Sequence, residues 1–440
     1  MITTATRRES EVLLMTRNKS TLEVITERPL VIEGKEQSIN LLVRIVPPTV
    51  DTVTRRPSLN LSLVLDRSGS MEGEKIVRAR EAACYCVDQL TPSDRVSVVV
   101  FDDVVDVLFQ SQPVENRDAI KERISQIQAR NSTALHQAWV TGGIQVSKEM
   151  TDGAVNRVLL LTDGLANVGV TNVDTIVSQA GELAARGVST STVGVGSTFN
   201  EDLLIPMAEA GRGNAWHCEK PSDMERIFAT ELEGLIAQVA HTVSLGLTPA
   251  DGVRVQDVLN DFEVTHTGRY KLPNLRSGSP LEVVISVKVP ARHSGQRYRV
   301  LDLRLAWNPQ DAPSSDREII SHPVTIEYAG AEEVEGTALD GRVTKAVQLL
   351  MAARARREAI KQLDRGDVLA ARATLGGTAQ LVAQACAPYM GDDRVKEEIR
   401  MLGELESELF HLGDPKMTRK KMSYQSYDLS RQSKPLKRRE

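Results

Sequence analysis

The chain has 440 residues, a formal net charge of −5, 41% hydrophobic residues, 26% charged residues and only 4% aromatics. That length calls for two or three domains, and the composition is that of a soluble globular protein with aliphatic cores; the charge argues neither for nor against nucleic acid. There is no run of about 18 apolar residues, so no membrane span is expected. The opening Met1–Ser10 lacks an apolar stretch of secretory type, which gives an expectation of a cytoplasmic location.

Residues 1–57 read as strands, with Ser10–Met15 and Ser38–Val46 as their apolar or alternating runs. From residue 58 to 240 strand and helix alternate. Strand-like runs at 59–66, 95–101, 157–163, 188–195 and 213–218 are separated by helical patterns at 74–90, 115–128, 134–150, 173–186 and 201–210. Val104–Phe109 reads as the return strand of a hairpin, and a last helix spans about 222–240. This alternation predicts a mostly parallel sheet with helices on both faces. Residues 241–332 return to short alternating runs between turn signals, as in a β-sandwich. The N-terminal strands have no sheet of their own, so they are expected to complete that sandwich, with the α/β unit inserted between. Residues 333–412 carry helix spacing, broken at Gly366-Asp367 and Gly376-Gly377, and predict a small helical bundle. The tail, 413–440, has nine Lys or Arg against three Asp or Glu and few aliphatic residues, and is expected to be disordered. The four cysteines, Cys84, Cys86, Cys218 and Cys386, have neither zinc-knuckle nor disulfide spacing and read as buried thiols of a reducing compartment.

Three pieces of sequence carry chemistry: Asp66-Arg67-Ser68-Gly69-Ser70, Thr133, and Thr162-Asp163-Gly164. Asp66 and Asp163 each close an apolar run. Ligands bind beyond the carboxyl ends of the strands of an open parallel sheet, and hydroxyls and carboxylates gathered there make an all-oxygen site for a hard divalent cation. Taken singly, Ser68 and Ser70 read equally well as helix caps, and Asp163-Gly164 as a turn; the order of the three pieces carries the reading. Arg67 occupies a free position between the ligands and is expected to point outward. Asp102 ends the second strand, as an ordinary polar strand end or a residue behind the ion site. His136 reads as a surface residue of a helix N-terminus, and His217 and Cys218 as core. Gly194-Val195-Gly196 lacks the third glycine and the position of a dinucleotide fingerprint.

The arrangement resembles the metal-ion-dependent adhesion site (MIDAS) of the von Willebrand factor A (VWA) domain family. The architecture resembles bacterial and plant proteins of that family and, more distantly, the inter-alpha-trypsin inhibitor heavy chains. The resemblance covers about residues 59–240 and implies a Rossmann-like domain with Asp66, Ser68, Ser70, Thr133 and Asp163 as the metal residues. By that resemblance the serine hydroxyls bind the ion directly, Thr133 binds directly or through water, and the two aspartates act largely through water. Asn131-Ser132 stand where the family often has glycines, so Ser132 is a substitute ligand. A hydroxyl-rich inner shell favours Mg²⁺ or Mn²⁺ over Ca²⁺ and leaves the ion able to attract an acidic side chain. The expected function is therefore a non-catalytic, Mg²⁺-dependent adaptor or scaffold. A partner protein supplies an Asp or Glu, and a second partner sits at the helical domain or basic tail, with no specific nucleic acid. One alternative is an adaptor subunit for an AAA+ ATPase of the MoxR or chelatase type. Another is a metal-dependent phosphoesterase, which requires a general base and has only Asp102 and His136 nearby.

Overall fold

The structure is a computed structural model describing residues 20–50, 56–130, 133–295, 297–312, 316–410 and 414–432. The strand expected at Ser10–Met15, the substitute ligand Ser132 and the last eight residues of the tail lie outside the described residues.

Three strands lead: β1 (Thr21–Thr26), β2 (Leu30–Ile32) and β3 (Gln37–Val46). An α/β unit follows, with β4 (Leu59–Asp66), α1 (Glu74–Gln89), β5 (Arg95–Phe101), β6 (Val105–Pro113), α2 (Arg117–Ser125), α3 (Leu135–Ser147), β7 (Val155–Thr162), α4 (Val173–Ala185), β8 (Ser189–Val195), α5 (Glu201–Ala210), β9 (Arg212–Cys218) and α6 (Met224–Ile236). The chain then returns to strands: β10 (Gln238–Pro249), β11 (Arg254–Val258), β12 (Tyr270–Lys271), β13 (Leu275–Arg276), β14 (Leu281–Val289), β15 (Arg297–Pro309) and β16 (Glu318–Ala329). It ends in helices α7 (Ala331–Glu335), α8 (Gly341–Asp364), α9 (Val368–Ala385), α10 (Asp393–Phe410) and α11 (Pro415–Arg431).

In the α/β unit the strand order is β6-β5-β4-β7-β8-β9, parallel except for the hairpin strand β6. Every residue of β4 and of β7 is buried, as follows when helices cover both faces of a sheet and the strands read as unbroken apolar runs. The chain leaves β4 toward β5 on one side and later places β7 on the other. Leu65 lies level with Leu161, so Asp66 and Thr162 end adjacent strands together. The strand order thus reverses at β4/β7, the point where open α/β sheets bind ligands.

The flanking strands form two packed sheets, β1-β3-β14-β11 and β12-β10-β15-β16-β2, with β13 beside β10. β3, from before the α/β unit, pairs antiparallel with β14, from after it, from Gln37 opposite Val289 to Ile45 opposite Leu281. The α/β unit is therefore inserted in a sandwich built from both ends of the chain. Leu41, Val43 and Ile45 face its core together with Val283, Ile285 and Leu303. Neighbouring residues of β3 and β14, Leu42 and Val284, point to the other face and are covered by Val343, Ala346 and Leu350 of α8, which seats the C-terminal helices on the sandwich.

The tail departs from expectation. Instead of being disordered, residues 415–431 form a helix with seven buried residues. Asp414 caps it by accepting from the Lys416 N–H at 2.9 Å, with Pro415 at the first turn. Met422 enters the helical core, and Tyr424 and Tyr427 enter the core of the α/β unit. Its basic residues find carboxylates distant in sequence: Arg419 binds Glu201, Asp202 and Asp364, Lys420 binds Glu201, and Lys421 binds Glu219 and Glu408. The Tyr427 hydroxyl accepts from the Ala215 N–H at 3.2 Å and donates to the Gly213 carbonyl at 3.3 Å. It thereby satisfies backbone groups on β9, the edge strand of the sheet. The composition that signals disorder in an isolated segment is here charge that pairs across domains.

Candidate functional site

Strand β4 delivers Asp66, and a short helical turn over Gly69–Met71 carries Ser70 toward α1. The Ser68 N–H donates to Asp66 Oδ1 at 2.7 Å, folding the loop back on the strand end. Ser68 Oγ and Ser70 Oγ lie 3.1 Å apart, and Ser70 Oγ donates to Asp163 Oδ1 at 2.6 Å. Thr162 Oγ1 donates to Asp66 Oδ2 at 2.5 Å, tying β7 to β4. Thr133 comes from the segment before α3, anchored by the Ala134 N–H on the Asp102 carbonyl at 2.6 Å and by the Thr133 N–H on Asn167 Oδ1 at 3.1 Å. A Cβ at Gly164 would lie 3.2 Å from Thr133 Oγ1 and 3.7 Å from Asp66 Oδ2, so glycine lets the threonine hydroxyl approach the carboxylates. The five candidate residues therefore sit in one place. Asp66 and Asp163 are fully buried and Ser68 and Thr133 nearly so, whereas Ser70 is exposed and opens the cluster to solvent.

The electrostatics suit a cation. Burial pushes the Asp66 carboxyl up to about 6, against the bonds from Thr162 and Ser68, and nearby Asp163 adds to the rise. Two buried acids with three hydroxyls form a hard, all-oxygen donor set. The chain answers part of this demand itself: the Lys75 ammonium binds Asp163 and reaches the Ser70 carbonyl at 3.1 Å. The donors thus fit a divalent cation. Among the described residues, no group of three or more His, Cys, Asp or Glu is placed to hold a metal, so any ion here depends on the hydroxyls.

Residues 60–230 match the von Willebrand factor type A domain family. This segment of the chain is a VWA-type domain. It is 32% identical over 183 residues to the uncharacterized protein sll0103 of Synechocystis, covering 42% of this chain and 43% of that protein. It is 26% identical over 250 residues to human inter-alpha-trypsin inhibitor heavy chain H4, covering 53% and 26% of the two chains. The chain thus spans less than half the length of these relatives. The fold is similar to that of a von Willebrand factor type A protein from Catenulispora acidiphila, with a TM-score of 0.69 at 17% identity over 96% of this chain and 98% of the other. VWA domains commonly bind a divalent metal and mediate protein–protein interaction.

Around the VWA site, Arg67 departs from expectation. It does not point outward but is 8% exposed, held by Asp102 at 3.1 Å and by Asp106. The reason is Asp102, a buried carboxylate at the end of β5 that needs donors. It takes them from Arg67, from Arg130 at 2.5 Å and from the Val104 N–H at 2.8 Å. Burial alone would raise its pKa, but these partners hold it below the usual carboxylate range. Asp102 therefore braces the loop that carries Thr133. His136 is turned to Gln179, 2.6 Å away. Neither proposed base stands free beside Ser68 and Ser70. His217 and Cys218 lie in the VWA domain as packing residues, with His217 Nε2 3.0 Å from the Gly196 carbonyl. The four cysteines are free thiols, three buried and Cys84 half-buried. No helix of the described residues is long and apolar enough to cross a membrane.

The sequence reading missed the 196–200 loop. Thr198 Oγ1 donates to the Asp163 carbonyl at 2.6 Å. The next residue, Phe199, packs over Gly194, where a Cβ would lie 2.4 Å from its ring, and the Phe199 carbonyl accepts from Lys420 of α11 at 2.7 Å. The glycines that fail as a dinucleotide fingerprint thus make room for a loop joining the ion site to the C-terminal helix.

Proposed function

We propose that the protein is a non-catalytic adaptor that recognises a partner through a divalent cation, Mg²⁺ in the first instance, held by Ser68, Ser70 and Thr133 and backed by Asp66 and Asp163. The observation that carries this reading is the cluster itself: two serine hydroxyls 3.1 Å apart above buried acids at the strand-order reversal, with the exposed Ser70 on the solvent side. Neutral hydroxyls leave the ion's charge largely uncompensated, so it favours an Asp or Glu offered by a partner. The engaged states of Asp102 and His136 support a binding role over hydrolysis, which requires a base positioned on an activated water. Four free thiols fit a reducing, cytoplasmic setting.

The test is affinity capture by the full chain from native extract, with wild type in Mg²⁺, wild type in EDTA, and the Asp66→Ala, Ser68→Ala double variant in Mg²⁺. Calorimetric titration of Mg²⁺ accompanies each protein. A partner held only by wild type in Mg²⁺, with Mg²⁺ heat absent from the double variant, is the expected result. A partner retained in all three lanes would place recognition elsewhere on the chain.

A further inference from the structure

A cleft between the VWA domain and the sandwich carries more positive charge than the chain pairs. It encloses about 960 Å³, toward the upper end of the range typical of small-ligand sites. Its walls come from α4, α5 and β9 of the VWA domain, from β10 and the 263–276 segment of the sandwich, and from Tyr427 and Arg431 of α11. Seven Lys or Arg side chains line it against three glutamates. Some are matched: Arg431 meets Glu209 at 3.2 Å, Lys271 meets Glu263 at 2.6 Å, and Arg157 reaches Glu231 at 3.9 Å. Among the described residues, Arg212, Arg269 and Arg317 have no carboxylate within ion-pair distance, and the third glutamate, Glu182, lies exposed on α4 without joining them.

These three guanidiniums are gathered against their own repulsion. Burial and then the charge of Arg317 lower the pKa of Arg212, against a smaller opposing pull from Glu263. Burial and then Arg269 and Arg304 lower that of Arg317. His241 close by is lowered by burial and then by Arg212 and Arg317. Neutral oxygens hold two of them: Arg212 donates to Thr242 Oγ1 at 2.8 Å, and Arg317 donates to Ser244 Oγ at 2.9 Å and to Asn308 Oδ1 at 3.0 Å. Arg212 and Thr242 both have left-handed backbones, each with φ of 53°. That conformation is costly for a β-branched residue. Strand β10 is also irregular here, its register with β15 shifting between His241 and Ser244. The fold therefore accepts strain and charge repulsion together, in a cavity that opens to solvent past the exposed Arg317.

We propose that this cleft binds a small phosphate-bearing ligand, with Arg212, Arg269 and Arg317 as its cationic partners and the hydroxyls of Thr242 and Ser244 as further donors. A planar guanidinium offers paired N–H groups that match phosphate oxygens. A multivalent oxyanion removes the repulsion that the chain leaves uncompensated. Arg212 and the two hydroxyls come from the facing edges of the VWA domain and the sandwich, so the ligand also bridges the two.

The test uses the full chain in EDTA, with inorganic pyrophosphate as the probe, read by calorimetry and thermal melting at matched ionic strength against sulfate, citrate and chloride. Wild type is expected to bind pyrophosphate with a raised melting temperature, and Arg212→Gln, Arg269→Gln and Arg317→Gln are each expected to weaken binding about tenfold. Without pyrophosphate the same variants are expected to melt no lower than wild type, because each removes a repelling charge. Absence of pyrophosphate binding beyond the chloride control, equal binding by the three variants, or citrate binding as tightly as pyrophosphate would each overturn the assignment. A lower melting temperature for all three variants in the absence of the probe would instead make the arginines structural and overturn it too.

Discussion

The ion-site crest of the VWA domain and the clasp that α11 forms along its β9 edge are both assemblies of charge, built on opposite plans. At the crest, strand ends and two short loops hold five residues by contacts of hydrogen-bond length, and a balancing cation, Lys75, lies a turn away on α1. Along the edge, α11 draws carboxylates from α5, from the 219–223 segment and from the helical bundle, and adds aromatic packing. Tyr424 stacks on His217 with ring centroids 5.3 Å apart and meets Phe199 edge-on at 6.1 Å. The crest is held by hydrogen bonds at the strand ends, whereas the clasp adds aromatic side chains to the core. Disrupting each in turn should therefore separate binding from stability.

The largest effect is expected from Tyr424→Ala. The side chain is 5% exposed, and emptying an aromatic site in a packed core costs roughly 3 kcal/mol or more. Urea denaturation of the full chain checks this. Among the described residues the buried Tyr424 hydroxyl has no hydrogen-bond partner, so Tyr424→Phe should cost almost nothing. Equal loss in both variants would mean that the hydroxyl, and not the ring, holds the clasp. Neither variant should change Mg²⁺ affinity by as much as changes at Ser68.

A smaller effect is expected at the crest. The Lys75 ammonium and a divalent cation both draw on Asp163 and the Ser70 carbonyl. Lys75 is partly exposed, and such a pair is worth at most about 1 kcal/mol, so Lys75→Met should tighten Mg²⁺ binding roughly fivefold, as read by calorimetry. In EDTA the same variant should melt at or slightly below the wild-type temperature. Weaker Mg²⁺ binding would show that Lys75 orders the donors instead of competing for them.

The same contrast explains what the sequence disclosed. The VWA strands announced themselves because burial on both faces demands unbroken apolar runs, and the ion site because its residues follow strand ends in a fixed order. Arg67 was misplaced because its direction is set by Asp102 and Asp106, neither of which is its neighbour in sequence. The α11 helix was missed for the same reason on a larger scale. Its basic residues look like solvated charge until Glu201, Glu219 and Glu408 are brought to them by the fold. Its apolar content is only Met417, Met422, Leu429 and two tyrosines. The Asp414-Pro415 start, a capping residue followed by a first-turn proline, was the one local signal available. Gly194 and Gly196 were legible as glycines but not as the floor of the Phe199 loop, which only tertiary packing defines.

The smallest effect, a response to pH, separates the two regions by sign. Folded Asp66, raised from 3.8 to about 6, keeps a proton that the unfolded chain has released in that window. Its contribution to stability is thus present at low pH and lost as pH rises through about 6. His217 is lowered from 6.5. Burial is the main cause; it outweighs the Gly196 carbonyl and Glu219, which favour charging, and Lys420 and Lys421 of α11 add smaller opposition. Its contribution is present above 6.5 and lost as pH falls toward the folded value. Acidification in EDTA from neutrality to about pH 5 should therefore strengthen the crest and loosen the clasp, each by no more than about 1.4 kcal/mol per pH unit, leaving wild type nearly flat. His217→Phe keeps the ring against Tyr424 and removes the titration, so its stability should rise as pH falls; Asp66→Asn should show the reverse. With Mg²⁺ present the crest changes sign, because an ion on the donors holds Asp66 ionised, and Mg²⁺ affinity should fall as pH drops through about 6. Parallel slopes in the two variants would mean that the crest and the clasp titrate as one unit, coupled through the 196–200 loop that touches both Asp163 and Lys420.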